Sequence, residues 1–294
     1  MLAVDRALIV GAEGLVAELT QPFEPFVGTH APPQVVSAQR VWLYDSRKRE
    51  MDTPYAIEIR AEVTSTQDVA RELLTAAPEQ PVLVVAERQT AGRGRTGNSW
   101  ETAPRALAAT LAFYTRWRRE DLPLIPLVAG LTARAAVRDR TGVLAALKWP
   151  NDIVTDAGKL GGLLVEASGA LVAVGCGINL WWPQPPAGVA GAVPADPGPD
   201  LAAEIAADWA SRLVPSLVEA EAEWDRDEYL AACSTLGQHI SWEPNGTGVA
   251  IDIDPMGGLV VDTGSGRLTL RSGSVASVRD ATLAGDSAIE GRPS

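Results

Sequence analysis

Between Leu144 and Leu180 the chain reads LAALKW, NDIV, LGGLLVEA and ALVAVGCGINL, four strand-like apolar runs broken only by Pro150, TDAGK and Ser168-Gly169. Connections this short join antiparallel neighbours, because a parallel pair needs a crossover of a dozen or more residues. A hairpin series is predicted here, and it confines the fold to architectures containing antiparallel strands. Upstream, YAIEIRAEV alternates apolar and polar residues as a half-buried strand does. It runs into TSTQDVARELLTAA, where a Ser or Thr can cap a helix with apolar positions at Val69, Ala70, Leu73 and Leu74. PVLVVAER is a continuous apolar run of the kind buried on both faces, ALAATLAFY reads as another strand, and PLIPLVAGLTARAAVRDRTG as a helix ended by Gly142. The predicted class is α+β with a mixed sheet.

WWPQPPAGVAGAVPADPGPD, from Trp181, reads as a loop, and the stretch 201–232 as an amphipathic helix pair covering the sheet. After Leu236, HISWEP, GVAIDID, GLVVDT, RLTLRS and SVASVRD are short strands separated by glycine-containing turns, which predicts a small closing β-barrel. Four parts are expected: a segment 1–50 with no assigned role, a main domain 51–235, the barrel 236–283 and a loose tail 284–294. The first of these carries QPFEPFVGTHAPPQ, whose prolines leave no room for the three short helices of a DNA-binding head.

The net charge of -12 argues against electrostatic capture of nucleic acid, which depends on neutralising phosphates. No apolar run approaches the roughly 20 residues of a membrane span, and the start resembles no secretory signal, so the cytoplasm is the expected compartment. Cys176 and Cys233 are the only cysteines, and His30 and His239 the only histidines, which makes a disulfide framework or a transition-metal centre improbable. The nine tryptophans, spread from Trp42 to Trp242, form no stripe and read as packing residues, with Trp100 the main exception.

Local positive charge therefore needs a local explanation. It is densest in RQTAGRGRTGNSWE, Arg88 to Glu101. Glycines at 92, 94 and 97 let a ligand approach the backbone, while Arg93 and Arg95 offer planar cationic forks for phosphate or carboxylate. The spacing is neither GxGxxG nor GxxxxGK[ST], and taken alone the segment fits a surface turn with solvated arginines equally well. Two further segments add to it. KWPND, Lys148 to Asp152, presents a cation, an amide and a carboxylate within one turn. KLGGLLVE puts Lys159 ahead of the Gly161-Gly162 pair, where an ammonium can neutralise a carboxylate that must meet a phosphate.

Taken in order, STQDVA, QTAGRGRTGNSW, KWPNDI, KLGGLLVE and GCGINL resemble the successive motifs of the biotin protein ligase family, over about Ile57 to Leu180. The closing GVAIDIDPMGGLVV and GSVASVR are similar to that family's SH3-like C-terminal barrel. The resemblance implies ligation in two steps: biotin is activated by ATP to biotinyl-5'-AMP with release of pyrophosphate, then passed to a lysine of a biotin carboxyl carrier protein or domain. ATP and biotin are the implied substrates, with Mg²⁺. No nucleic acid or membrane partner is expected, and a homodimer is left open.

The same resemblance implies residue roles. Ser65, Thr66, Gln67 and Gln89 would meet the biotin ring, and Arg93, Gly94 and Arg95 would fold over biotin and the adenylate, with Trp100 closing against the nucleotide. Lys159, beside Gly161 and Gly162, would hold the biotin carboxylate. Lys148, Asn151, Asp152 and Asn179 would lie on the ATP side, with Asp152 the candidate metal carboxylate. Lys159, Arg93 and Arg95 are the expected catalytic set. Gln67 stands where the family has asparagine, and Asn98 where many members have arginine. Two alternatives are weighed: a lipoate or octanoate ligase or transferase of the same fold, and a non-catalytic sensor of biotin or adenylate. A cysteine nucleophile is disfavoured, because Cys176 sits in an apolar strand without a nearby histidine.

Overall fold

The structure, a computed structural model, describes residues 53–218, 222–273 and 275–277. The expected N-terminal segment, the tail, His30 and Trp42 lie outside the described residues.

The predicted hairpin series forms as a four-strand meander: β4 (Ala146–Lys148), β5 (Asp152–Thr155), β6 (Gly158–Ser168) and β7 (Leu171–Trp181), each antiparallel to the next. Ahead of it in the chain come β1 (Ala56–Val63), α1 (Thr66–Ala76), β2 (Val82–Gln89) and β3 (Arg105–Tyr114). The helix α1 serves as the crossover that allows β1 and β2 to pair in parallel. The resulting seven-stranded sheet runs β1-β2-β3-β7-β6-β5-β4, so β3 and β7 sit in its middle and are buried almost throughout.

Alternation divides the sheet into two faces. One carries Val82, Val84, Ala112 and Ala173, covered by Ala70 and Leu74 of α1. The other carries Leu107, Leu111, Phe113, Val174, Cys176 and Ile178, covered by α2 (Ile125–Thr141) and α3 (Asp200–Val218). Gly142 ends α2 at φ 77, the left-handed conformation that a glycine adopts at least cost. Cys176 is buried on this second face, and that burial pushes its thiol far up, in keeping with a core residue and not a nucleophile.

A short helix, α4 (Arg226–Ala232), leads to a second sheet of β8 (His239–Trp242), β9 (Gly246–Ile253), β10 (Leu259–Asp262), β11 (Arg267–Leu270) and β12 (Val275–Ser277). All neighbours are antiparallel, in the order β11-β10-β9-β8-β12. The sequence predicts a closed barrel, whereas the described residues form an open ladder: its edge strands, the four-residue β11 and the three-residue β12, do not pair with each other. Ile240, Ile253, Leu259, Val261 and Val275 of this sheet belong to the same apolar cluster as Leu124, Leu127 and Trp149, so one core serves both sheets.

Candidate active site

Strand register places the site. Lys148 pairs with Asp152, Asp152 with Gly162, Gly162 with Gly177 and Gly177 with Ala108, giving one row across the α1 face of the sheet. The neighbouring row on that face runs Leu164, Gly175 and Thr110. Three glycines in these rows, Gly162, Gly175 and Gly177, leave a depression, and side chains from outside the sheet fill part of it. The amide nitrogen of Gln67 lies 2.9 Å from where a Cβ on Gly175 would stand, and the Trp100 ring 2.9 Å from a Cβ on Gly177. What remains is a cavity of about 310 Å³.

Its inner end is built by the start of α1. Ser65 occupies the N-cap position with extended backbone, but its hydroxyl caps nothing; it is buried and has no hydrogen-bond partner among the described residues. Thr66 is committed: its N–H and hydroxyl both donate to Gln89 Oε1, at 2.9 and 3.1 Å, and its hydroxyl accepts from Thr110. Gln67 donates Nε2 to the Leu164 carbonyl at 2.9 Å, which leaves its buried Oε1 without a partner. A hydroxyl and an amide oxygen are thus left unmet at this end, where a buried polar atom without a partner costs about 1–3 kcal/mol.

The outer end is cationic. Arg93, Arg95, Lys148 and Lys159 reach the wall, against the single carboxylate of Asp152. Lys159 Nζ donates to Asp152 Oδ1 at 2.7 Å. A bulge aims it there: Ile153 faces Gly161 while Val154 faces Lys159, so Leu160 is the extra residue, and it turns into the core. The Pro-rich loop after β7 then clips onto Lys159 from outside. The Lys159 N–H donates to the Gly188 carbonyl at 2.7 Å, and its carbonyl accepts from Ala190 N–H at 2.9 Å.

The glycine/arginine loop closes on itself, with Gly94 N–H donating to the Asn98 carbonyl and Trp100 N–H to the Gly92 carbonyl. Its two arginines diverge. Arg95 donates to Asn151 Oδ1 at 2.6 Å and to the Gly273 carbonyl at 3.1 Å, tying the loop to KWPND and to the β11–β12 turn. Burial draws its guanidinium pKa down, with Asp152 opposing. Arg93 lines the cavity and grips Asp68 of α1 with both Nη atoms, at 2.8 and 2.7 Å. Bonding to Arg93 holds the Asp68 carboxyl below its usual range.

Of the residues the sequence singled out, Ser65, Thr66, Gln67, Gln89, Arg93, Gly94, Arg95, Trp100, Lys148, Asn151, Asp152, Lys159 and Gly162 line one cavity. Gly161 and Asn179 do not. Gly161 is required between strands, because a Cβ there would overlap the Gly177 carbonyl. Asn179 follows Gly177 on the same face of β7, past the glycine that Trp100 covers; its buried Oδ1 has no partner among the described residues. Sequence reasoning missed Gly175, Gly177 and Val275 on the wall, the last of which brings the second sheet there, and Asp68 and Glu166, which bond Arg93. The glycines at alternate positions in VAVGCGINL were a readable signal of a cleared strand face; the other three left none.

Residues 60–179 match the model of the biotin/lipoate A/B protein ligase family. A biotin-acetyl-CoA-carboxylase ligase of Mycobacterium tuberculosis is 31% identical over 250 residues, covering 76% of this chain and 89% of that protein. Its counterpart in Paracoccus denitrificans is 29% identical over 218 residues, covering 65% and 88%. Among solved structures, biotin protein ligase from Aquifex aeolicus in complex with biotin and ATP superposes with a TM-score of 0.59 at 26% identity, covering 75% of this chain and 97% of that one.

Proposed function

The chain belongs to the biotin/lipoate A/B protein ligase family, and from that premise we propose how it acts as an ATP-dependent biotin-acetyl-CoA-carboxylase ligase. One observation supports the reading above others: partnerless polar atoms and cationic side chains line the same cavity. The Ser65 hydroxyl can donate to the ureido oxygen of biotin, and Gln67 Oε1 can accept from a ureido N–H. The apolar ring and valeryl chain then lead the carboxylate toward Lys159 and Arg95.

In the first step a carboxylate oxygen attacks the α-phosphorus of ATP; the new P–O bond forms as the bond to the β-phosphate bridge breaks, and pyrophosphate leaves. Two anions must meet, and Lys159, Lys148 and Arg95 lower that repulsion at fixed positions. Mg²⁺ would neutralise phosphate charge. Asp152, the one carboxylate on the wall, fits an ion that takes most of its ligands from phosphates and water, and no cluster of three or more metal-binding side chains is present among the described residues. In the second step a carrier lysine amine attacks the acyl carbon, the amide forms, the acyl C–O bond breaks, and AMP leaves as the amine gives up its proton. Trp100 and the closed loop shield the anhydride from water meanwhile.

The finer assignments rest on the same reading. The main domain is 51–235, residues 236–283 form an SH3-like barrel, the carrier is a carboxylase domain, and the enzyme works in the cytoplasm without nucleic acid, as a monomer or homodimer. Among the described residues no helix is long and apolar enough to cross a membrane. The test is pyrophosphate release from MgATP with biotin, lipoate or octanoate offered separately, in the presence of an apo carrier domain. Release with biotin and labelling of the carrier are expected. Release only with lipoate or octanoate would move the substrate within the fold, and binding without release would make the protein a sensor.

A further inference from the structure

We infer that Asp68 and Glu166 are positioning residues, a latch that holds the glycine/arginine loop shut over the acyl-adenylate by gripping the Arg93 guanidinium. The inference rests on the adenylation reading above. Arg93 and Asp68 meet fork to fork, and Arg93 Nη2 also lies 3.5 Å from Glu166 Oε2. Glu166 is itself held by Arg71 at 2.5 Å, so two arginines and two carboxylates form one chain of ion pairs. Such a network loses less side-chain freedom per contact than an isolated pair, and the bidentate geometry is the strong form of the interaction.

Its placement gives it a task. Asp68 follows Gln67 in the first turn of α1, and Glu166 lies two residues beyond Leu164, whose carbonyl orients Gln67. The latch therefore fastens the loop to the two elements that build the biotin end. Arg95 fastens its other side to Asn151 and Gly273. With its guanidinium gripped by two carboxylates, Arg93 governs how often the loop opens. Nothing in the motif GRGR distinguishes these two jobs.

The experiment compares wild type with Asp68→Asn and Glu166→Gln, substitutions at partly exposed side chains that leave the core untouched. Single-turnover pyrophosphate release should stay within about twofold, while escape of labelled adenylate, and with it labelling of bystander lysines, rises about two- to fivefold. Reversing the pair, Asp68→Arg with Arg93→Asp, should bring escape back toward wild type. Trypsin cleavage after Arg95 in the ligand-free protein gives a readout independent of activity, and Asp68→Asn should speed it. Unchanged escape and unchanged cleavage would overturn the latch, as would escape rising with no rescue on reversal. If wild type released no pyrophosphate with biotin, the activity reading would fail instead, and the cleavage rates alone would decide whether the latch exists.

Discussion

Arg93 and Arg95 stand two positions apart in a motif that treats them alike, yet one faces the carboxylates of Asp68 and Glu166 and the other an amide oxygen and a backbone carbonyl. Ser65 shows the converse. A serine before an apolar helical repeat is normally a cap, but here the hydroxyl makes no cap bond and is buried without a partner among the described residues. On the adenylation reading proposed above, chemistry depends most on Lys159, because it is the ammonium that the β6 bulge aims at the cavity's carboxylate side. Lys159→Ala should reduce pyrophosphate release about 100-fold or more, the loss seen when one preorganised charge is removed. Its side chain is 41% exposed, so circular dichroism and melting should change little. Turnover near the wild-type rate would remove Lys159 from the mechanism.

At the scale of elements, the meander β4 to β7 was legible because each hairpin is local and alternation is a short-range pattern. The bulge in β6 was not, since Leu160 and Lys159 change faces only in register with β5. Nor was the function of the Pro-rich loop, which reads as a connection but pins the backbone of Lys159 on both sides. Gly158 permits that clasp, with φ 134 and with the Gly188 carbonyl lying where a Cβ would be. Gly158→Ala should cost about 1–3 kcal/mol and lower the rate of adenylation with it. Thermal melting and single-turnover assays would check both; a lower melting point with an unaltered rate would show that the clasp does not position Lys159.

Over the molecule as described, KWPND is where the two sheets meet. Trp149 is buried, donates its backbone N–H to the Thr235 hydroxyl oxygen, and donates its indole N–H to the Gly257 carbonyl at 2.9 Å. Trp149→Phe leaves that carbonyl buried and unmet and should destabilise the protein by about 1–3 kcal/mol in a denaturant titration. Because one core serves both sheets, unfolding is expected as a single transition; a separate early transition for the second sheet would contradict the shared core. By itself the sequence determined the succession of strands and helices, the glycine stop of α2 and most of the cavity's residue list, because caps, alternation and compact motifs act over a few positions. Only the tertiary structure decided that Gly161 spaces strands while Gly162 lines the cavity, that the second sheet is an open ladder in its described part, and that Arg93 is held by partners 25 and 73 positions away. Which carboxylate meets which guanidinium depends on where the sheet brings distant strands, and no local propensity encodes that distance.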